Sequence, residues 1–283
     1  MSNAVSKMGK NNHTKNVIKE QSKEKTYDHD RIRLKVYRNN AENNDGHHYD
    51  TFEIDVKRWT TVLDALLYAK FYIDSSIAIR YSCRMASCGS CGMKINGIPR
   101  LACYTKISEF ENSTITCEPL PNFPLIRDLV TDFSAFFEHH RDVSPFIKNE
   151  NLKELSKENG LFSFIQSPAE VEKYLQFSYC IKCGLCYSAC PTAATDVKFP
   201  GPQALAQLYR YFSDTRDQSH ERLDVVDNKH GIWRCHFAGS CSKVCPKGVD
   251  PALGIQLLRS YMIGISKQDK KKPKIHLANY PKN

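Results

Sequence analysis

Eleven of the twelve cysteines in this chain fall into three sets with regular spacing. The first set is Cys83, Cys88, Cys91 and Cys103. The second set is Cys180, Cys183, Cys186 and Cys190, and the third is Cys235, Cys241 and Cys245. Thiolates at such spacings bind iron–sulfur clusters, which exchange single electrons. The cysteine pattern therefore predicts a protein that transfers electrons through bound metal.

The first set begins with the spacing of a plant-type [2Fe–2S] site, Cys83-x4-Cys88-x2-Cys91. Gly89 and Gly92 allow backbone N–H groups to approach the sulfurs and form hydrogen bonds to them. A structural zinc ion bound by four cysteines is the alternative, but zinc sites commonly use two short Cys-x2-Cys pairs. The longer gap and the flanking glycines favour iron.

The fourth ligand of this site follows from a predicted hairpin. Asn96-Gly97 is a preferred two-residue hairpin turn. Pairing across this turn places Cys103 nearly opposite Cys91, so that four sulfurs converge. Pro99 in the second arm predicts an edge strand or a short strand, because proline cannot donate a ladder hydrogen bond.

The second and third sets form a degenerate repeat. The second set has the bacterial ferredoxin spacing, and the third has the same spacing with Ala238 in place of its second cysteine. In two-cluster ferredoxins the fourth cysteine of each run binds the other cluster. This exchange predicts a complete [4Fe–4S] site and a [3Fe–4S] site with one ligand missing. The predicted ligands are Cys180, Cys183, Cys186 and Cys245 for [4Fe–4S], and Cys190, Cys235 and Cys241 for [3Fe–4S].

The elements that position the first set are predicted to be α+β. Apolar residues alternate in 32–36 and in 52–56, which predicts two paired strands. A helix follows, capped by Thr60 or Thr61, with one buried stripe. That stripe is Val62, Ala65, Leu66 and Ala69. These elements and the cysteine loop predict a [2Fe–2S] domain over residues 31–120.

The elements that position the other two sets are predicted to be helical. Apolar residues from Ile126 to Phe137 recur at helical spacing, with Asp128 and Asp132 on the polar side. Further helices are predicted from Ala204 and from Leu253. Since period-two alternation is almost absent after Cys180, residues 121–264 are predicted to form a helical cluster-binding domain.

Composition places these domains in a chain of 283 residues with 41% hydrophobic content and a mean hydropathy of −0.49. The sequence predicts no spanning helix, secretory signal or mitochondrial transit peptide. The net charge of +9 is concentrated in residues 1–30 and 265–283, interpreted as a disordered extension and a basic tail. The twelfth cysteine, Cys117, is interpreted as a lone buried thiol.

With these residues in view, the chain resembles the iron–sulfur subunits of succinate dehydrogenase and fumarate reductase over roughly residues 31 to 264. The matching segments are Ser82–Met93, Leu101–Cys103, Cys180–Pro191, Cys235–Phe237 and Cys241–Pro251. The resemblance implies a β-grasp plant-type ferredoxin domain followed by an all-helical bacterial-ferredoxin-like domain. It also implies [2Fe–2S], [4Fe–4S] and [3Fe–4S] clusters that pass electrons from a FAD-containing subunit to quinone beside a membrane anchor subunit.

Quinone-proximal residues are implied by the same resemblance. They are Pro191 in the segment after Cys190 and His236 after Cys235. The family often has tryptophan in the first of these segments, and this chain has none. No flavin motif or acid–base group is recognised, so catalytic residues are expected on a partner subunit. The implied location is peripheral, at the cytoplasmic face of the plasma membrane or the matrix side of the mitochondrial inner membrane.

Three alternative functions remain open. A fumarate reductase subunit would transfer electrons in the reverse direction. A free soluble multi-cluster ferredoxin would carry the same cofactors without obligate partners. A basic zinc protein that binds nucleic acid would need a basic domain face, whereas the excess charge lies in the terminal segments; no nucleic-acid partner is expected.

Overall fold

The computed structural model describes residues 27–39, 46–149, 162–219, 221–264 and 274–277. The first part of the described chain is a five-stranded sheet with one helix, and the later part is mostly helical. The strands of the sheet are β1 (Arg31–Arg38), β2 (His48–Asp55), β3 (Gly92–Ile95), β4 (Ile98–Leu101) and β5 (Thr114–Glu118). Their order is β2-β1-β5-β3-β4, and β1 pairs with β5 in parallel.

Helix α1 (Val62–Tyr68) covers one face of this sheet, and a π-helical turn over Ala69–Ile73 extends it. Thr61 caps the helix through a capping box with Asp64, because each side chain accepts a hydrogen bond from the other residue's backbone N–H. The predicted stripe is buried. The antiparallel β1–β2 pair is also confirmed, with Ile32, Leu34 and Val36 buried on its core face.

The β3–β4 hairpin turns at Asn96 and Gly97, as predicted. Both residues have positive φ, 45° and 83°, which is the conformation that this two-residue turn requires. Gly92 pairs with Leu101, so the chain enters and leaves the hairpin beside Cys91 and Ala102. Strand β4, which contains Pro99, lies at the edge of the sheet, in agreement with the prediction for this proline.

The single helix predicted from Ile126 to Phe137 is wrong in its first half. Residues there form two short antiparallel strands, β6 (Leu125–Arg127) and β7 (Val130–Thr131), and helix α2 (Ser134–Asp142) begins only afterwards. Asp128 turns the chain between the strands with a φ of 49°. Its buried carboxylate accepts hydrogen bonds from the N–H groups of Asn39 and Ala78, which a residue on a solvated helix face would not do.

The helical part contains α3 (Pro168–Glu172), α4 (Leu175–Ser178), α5 (Leu185–Ser188), α6 (Pro191–Thr195), α7 (Gly201–Phe212), α8 (Ser240–Lys243) and α9 (Pro251–Met262). Helices α7 and α9 contain the predicted apolar segments and pack against each other. Two strands, β8 (Phe162–Ile165) and β9 (Lys274–Leu277), pair antiparallel. The expectation of an all-helical region is therefore wrong at β6–β7 and β8–β9.

The terminal predictions fall largely outside the described residues. Residues 1–26 of the predicted extension are not described, and within the predicted basic tail only Lys274–Leu277 are. The described part of the N-terminal segment contacts the sheet domain. The N–H of Tyr27 donates to the carbonyl of Ser108, and the ring of His29 lies 2.8 Å from the carbonyl oxygen of Phe110.

We expect Asp128→Ala to lower the free energy of unfolding by about 3 kcal/mol, because it removes a buried partner of Arg38 and two backbone hydrogen bonds. Asp132→Ala is the matched control. Its carboxylate accepts hydrogen bonds from the N–H and the hydroxyl of Ser134 at the exposed start of α2, so a much smaller loss is expected. Urea denaturation followed by circular dichroism measures both, and equal losses would favour the predicted helix over the observed strand pair.

Candidate iron–sulfur sites

The first set of cysteines lies in the loop between α1 and β3 and at the end of β4. Its sulfurs are connected by backbone hydrogen bonds. The N–H of Cys83 donates to Cys88 Sγ at 3.4 Å, and the N–H of Cys103 donates to Cys91 Sγ at 3.5 Å. The N–H of Ala86 donates to Cys103 Sγ at 3.3 Å. The fold therefore brings together the four predicted [2Fe–2S] residues.

Backbone amides of the same loop point towards sulfur. The N–H groups of Met85, Ser87 and Cys88 all donate to Cys83 Sγ, at 3.2 to 3.4 Å. Arg84 and Ala86 adopt positive φ to allow this arrangement. Converging N–H groups stabilise negative charge. The loop is thus built to hold thiolates.

The electrostatics of this loop agree with its geometry. Burial opposes ionisation of Cys88, but hydrogen bonds from Ser90 and from backbone amides outweigh it and lower the pKa of the thiol to about 6. Cys91 lies deeper, and burial raises its pKa to about 12. A positively charged metal centre would offset this desolvation, since a coordinating thiol is deprotonated by the ion.

The second and third sets of cysteines line two separate cavities. The four-cysteine cavity is lined by Cys180, Cys183, Cys186 and Cys245. The three-cysteine cavity is lined by Cys190, Cys235 and Cys241. Each cavity therefore receives the last cysteine of the other run. This is the exchange that the ferredoxin repeat predicts.

The backbone repeats as well as the sequence. Lys182 and Phe237, each two residues after the first cysteine of its run, have φ of 55° and 56°. Gly184 and Gly239 then precede α5 and α8 as their N-terminal caps, in the left-handed conformation. Ala238 lies between Phe237 and Gly239, at the position that corresponds to Cys183 in the second run. It lines the three-cysteine cavity. The three-cysteine cavity therefore has a methyl group in its lining where the four-cysteine cavity has a sulfur.

These two cavities suit soft, multinuclear metal cofactors. Burial raises the pKa of Cys183 to about 12 and that of Cys241 to about 11, so the thiols would be neutral without a cation. Sulfur is the preferred donor for iron–sulfur clusters and zinc. Among the described residues, no group of three or more His, Cys, Asp or Glu side chains converges on a point where one metal ion could bind. The donors fit clusters, with sulfur around a shared cavity.

Two residues outside the cysteine sets fix these runs in place. The side-chain amide of Asn122, at the end of the sheet domain, donates at 3.0 Å to the carbonyls of Tyr187, Ser188 and Cys190. Arg259 on α9 donates at 2.7 Å to the carbonyls of Ile232 and Cys235. Neither residue belongs to a recognisable motif, so sequence reasoning did not identify them.

Gln203 is a further polar residue that the sequence did not single out. It lies on the buried face of α7, is 2% exposed and lines the four-cysteine cavity. Its Nε2 lies 3.1 Å from Nδ1 of His140, whose pKa burial and the charge of Lys182 lower to about 4. The His140 ring is therefore neutral, and its Nδ1 accepts a hydrogen bond from the amide N–H of Gln203. The only sequence signal was a glutamine among apolar residues.

The two residues implied to lie near quinone differ in position. Pro191 begins α6 and lines the three-cysteine cavity. His236 is exposed, and its neighbour Phe237 lines the cavity instead. Cys117 is fully buried on β5, and burial raises its pKa, as expected for a thiol in a core.

Known proteins resemble this chain along most of its length. The fumarate reductase iron–sulfur subunit of Mycobacterium tuberculosis is 44% identical over 228 residues, covering 80% of this chain and 91% of that protein. The Haemophilus influenzae fumarate reductase iron–sulfur subunit is 42% identical over 231 residues, covering 79% and 90%. A chain of the Mycobacterium smegmatis Sdh1 complex in the apo form has a TM-score of 0.74 at 26% identity, covering 86% of this chain and 99% of that chain.

Domain families match both halves of the described fold. Residues 33–138 match a 2Fe-2S iron–sulfur cluster binding domain, and residues 176–249 match a 4Fe-4S dicluster domain. Together with the three groups of sulfurs, these matches define an iron–sulfur electron-transfer protein. Its relatives identify it further: the chain belongs to the family of fumarate reductase and succinate dehydrogenase iron–sulfur subunits.

Within the part of the chain that the structure describes, none of the helices has the length and apolar character needed to cross a bilayer.

We expect Cys103→Ala to remove the absorption and EPR signal of the two-iron centre and about two iron ions per chain, while the other centres remain. The reason is that Cys103 lies with the first group and lines neither of the two later cavities. Cys117→Ala is the control, because this thiol is also buried in the same domain, on β5, and lines neither of the two later cavities. Retention of the two-iron signal in Cys103→Ala would show that another residue is the fourth ligand.

Proposed function

We propose that this chain is the electron-transfer subunit of a membrane-bound succinate:quinone oxidoreductase. When bound, its [2Fe–2S], [4Fe–4S] and [3Fe–4S] clusters would carry single electrons between a FAD-containing subunit and membrane quinone. The catalytic residues for succinate would lie on the FAD-containing partner. The succinate dehydrogenase complex to which the similar solved chain belongs supports this assignment.

The observation that carries the proposal is the crossed arrangement of cysteines in the two cavities. Cys245 lies with Cys180, Cys183 and Cys186, whereas Cys190 lies with Cys235 and Cys241. We assign the first group to [4Fe–4S] and the second to [3Fe–4S]. Ala238 supports the three-iron assignment, because its methyl group stands where a fourth sulfur would be and cannot bind iron.

The chain's own residues have three roles in this proposal. Cysteine sulfurs hold the metal, backbone N–H groups donate to those sulfurs, and apolar side chains exclude water. Hydrogen bonds to sulfur and burial both adjust the reduction potential of a cluster. Lys247 lines the four-cysteine cavity, where its positive charge would favour the reduced form of that cluster.

The surface that faces quinone would be the one around the three-cysteine cavity. Pro191 is in its wall, and the exposed His236 lies beside it in sequence. An imidazole at this position could donate a hydrogen bond to a quinone oxygen and deliver a proton. We accordingly place the membrane anchor subunit on this surface and the protein peripherally on the membrane.

The domain proposal follows from the same assignment. Residues 31–120 form a β-grasp [2Fe–2S] domain, and residues 121–264 form a bacterial-ferredoxin-like domain for the other two clusters. The order β2-β1-β5-β3-β4, with α1 against the sheet, supports the first assignment. The repeated turns at Lys182 and Phe237 support the second.

A fumarate reductase subunit is a second candidate, favoured by the names of the relatives that are 42% and 44% identical. The cluster ligands would be the same in both cases. The direction of electron transfer is tested on the complex purified with its flavoprotein and anchor. Succinate oxidation is assayed with a quinone as acceptor, and fumarate reduction is assayed with the matching quinol as donor.

The proposal as a whole is tested by iron analysis and low-temperature EPR of the purified complex during a redox titration. We expect about nine iron ions per chain and three separate signals, from two-, four- and three-iron centres. Zinc in place of iron, or a chain that purifies without a flavoprotein, would contradict it.

We expect Ala238→Cys to convert the third centre from three to four irons and to lower its reduction potential, because a fourth thiolate adds both a ligand and negative charge. The oxidised three-iron EPR signal should disappear and iron content should rise by about one per chain. Ala194→Cys is the control, because it adds a thiol to the exposed face of α6, outside the cavity. An unchanged three-iron signal in Ala238→Cys would exclude the assigned ligands.

A further inference from the structure

The loop that holds the first cysteine set contacts the second cysteine run directly. The contact point is Gly89, which lies between Cys88 and Cys91 and is buried with a φ of 77°. A Cβ atom on this glycine would stand 2.8 Å from Cys183 Cβ and 2.9 Å from Cys183 Cα. Carbon atoms in van der Waals contact need about 3.5 Å or more. There is no room for a side chain between the two loops.

A second glycine makes the same approach. A Cβ on Gly92 would be 3.2 Å from Leu185 Cδ2 and 3.3 Å from the carbonyl oxygen of Cys183. Cys183 and Leu185 are themselves buried in the core of the sheet domain rather than in the helical core. The part of the second run around Cys183 and Leu185 is therefore inserted into the sheet domain, and two glycines permit that insertion.

Backbone conformation alone does not explain Gly89. Gly97 and Gly239 have similar positive φ values, 83° and 71°, but a Cβ on either of them would meet nothing within 4 Å. Those positions need glycine only for the turn. Position 89 needs glycine both for the turn and for the close approach of Cys183. Gly89 lies between two proposed ligands of the first cluster, Cys88 and Cys91, and it contacts Cys183, a proposed ligand of the second.

We infer that Gly89 is a positioning residue that sets the separation of the first and second clusters. This inference rests on the proposed function. Electron tunnelling weakens exponentially with distance, so a displacement of the two loops by even one added methyl group slows transfer between them. Because the obstacle is Cys183 backbone and Cβ, a side chain at position 89 cannot be accommodated by rotation of a flexible neighbour.

The test is EPR on the purified complex with both centres reduced. A nearby paramagnetic four-iron centre speeds the spin relaxation of the two-iron centre, and this enhancement falls steeply with distance. We expect Gly89→Ala to lose much of the enhancement while both signals and the iron content remain. Gly97→Ala, the control with the same φ strain and open space, should relax as the wild type does.

Gly92→Ala supplies a milder change without positive φ, and it decides the question if Gly89→Ala does not assemble its clusters. We expect a smaller loss of enhancement in the same direction. The inference would be overturned if the two-iron centre relaxed as in the wild type in Gly92→Ala and in any Gly89→Ala protein that carries its clusters. It would also be overturned if Gly97→Ala lost the relaxation enhancement equally. The absence of iron signals from the wild-type complex would instead reject the proposed function.

Discussion

Burial of sulfur away from water is the constraint on which the rest of this structure depends. A thiolate in an apolar interior is unstable unless positive charge or hydrogen-bond donors surround it. The first loop meets this requirement with backbone amides, one of them on Ala86, which is held at positive φ. In the two later cavities burial outweighs the backbone hydrogen bonds and raises the pKa of thiols such as Cys183 and Cys241. Ionised sulfur in these cavities would therefore need the positive charge of bound metal.

What the sequence could predict was local in kind. Asn96-Gly97 fixes a hairpin through the φ values of two residues, and Thr61 with Asp64 fixes a helix start. The cysteine repeat was equally informative, because a known ligand exchange turns spacing into contact. Both cavities have the sulfurs that this exchange predicts.

What the sequence could not predict depended on distant partners. The apolar residues from Ile126 to Phe137 have helical spacing, yet Asp128 is drawn out of a helix by Arg38, Asn39 and Ala78, which precede it by 50 residues or more. Asn122 and Gln203 were missed for the same reason, since their roles appear only when other segments surround them. Apolar residues at a spacing of 3.6 indicate one buried helix face. They do not indicate whether a polar residue in the same segment forms hydrogen bonds with distant parts of the chain.

The crossed cavities have a consequence for biosynthesis. When a ribosome has released the segment that ends at Cys190, Cys245 has not yet been translated, so the four-cysteine cavity still lacks one wall. The nascent chain then carries the four thiols of the second run before their later partners exist, and these thiols can be oxidised or can capture the wrong metal. Loading of the later two centres must consequently wait for the whole segment from Cys180 to Cys245, and a maturation factor that shields the early thiols would protect the chain during that interval.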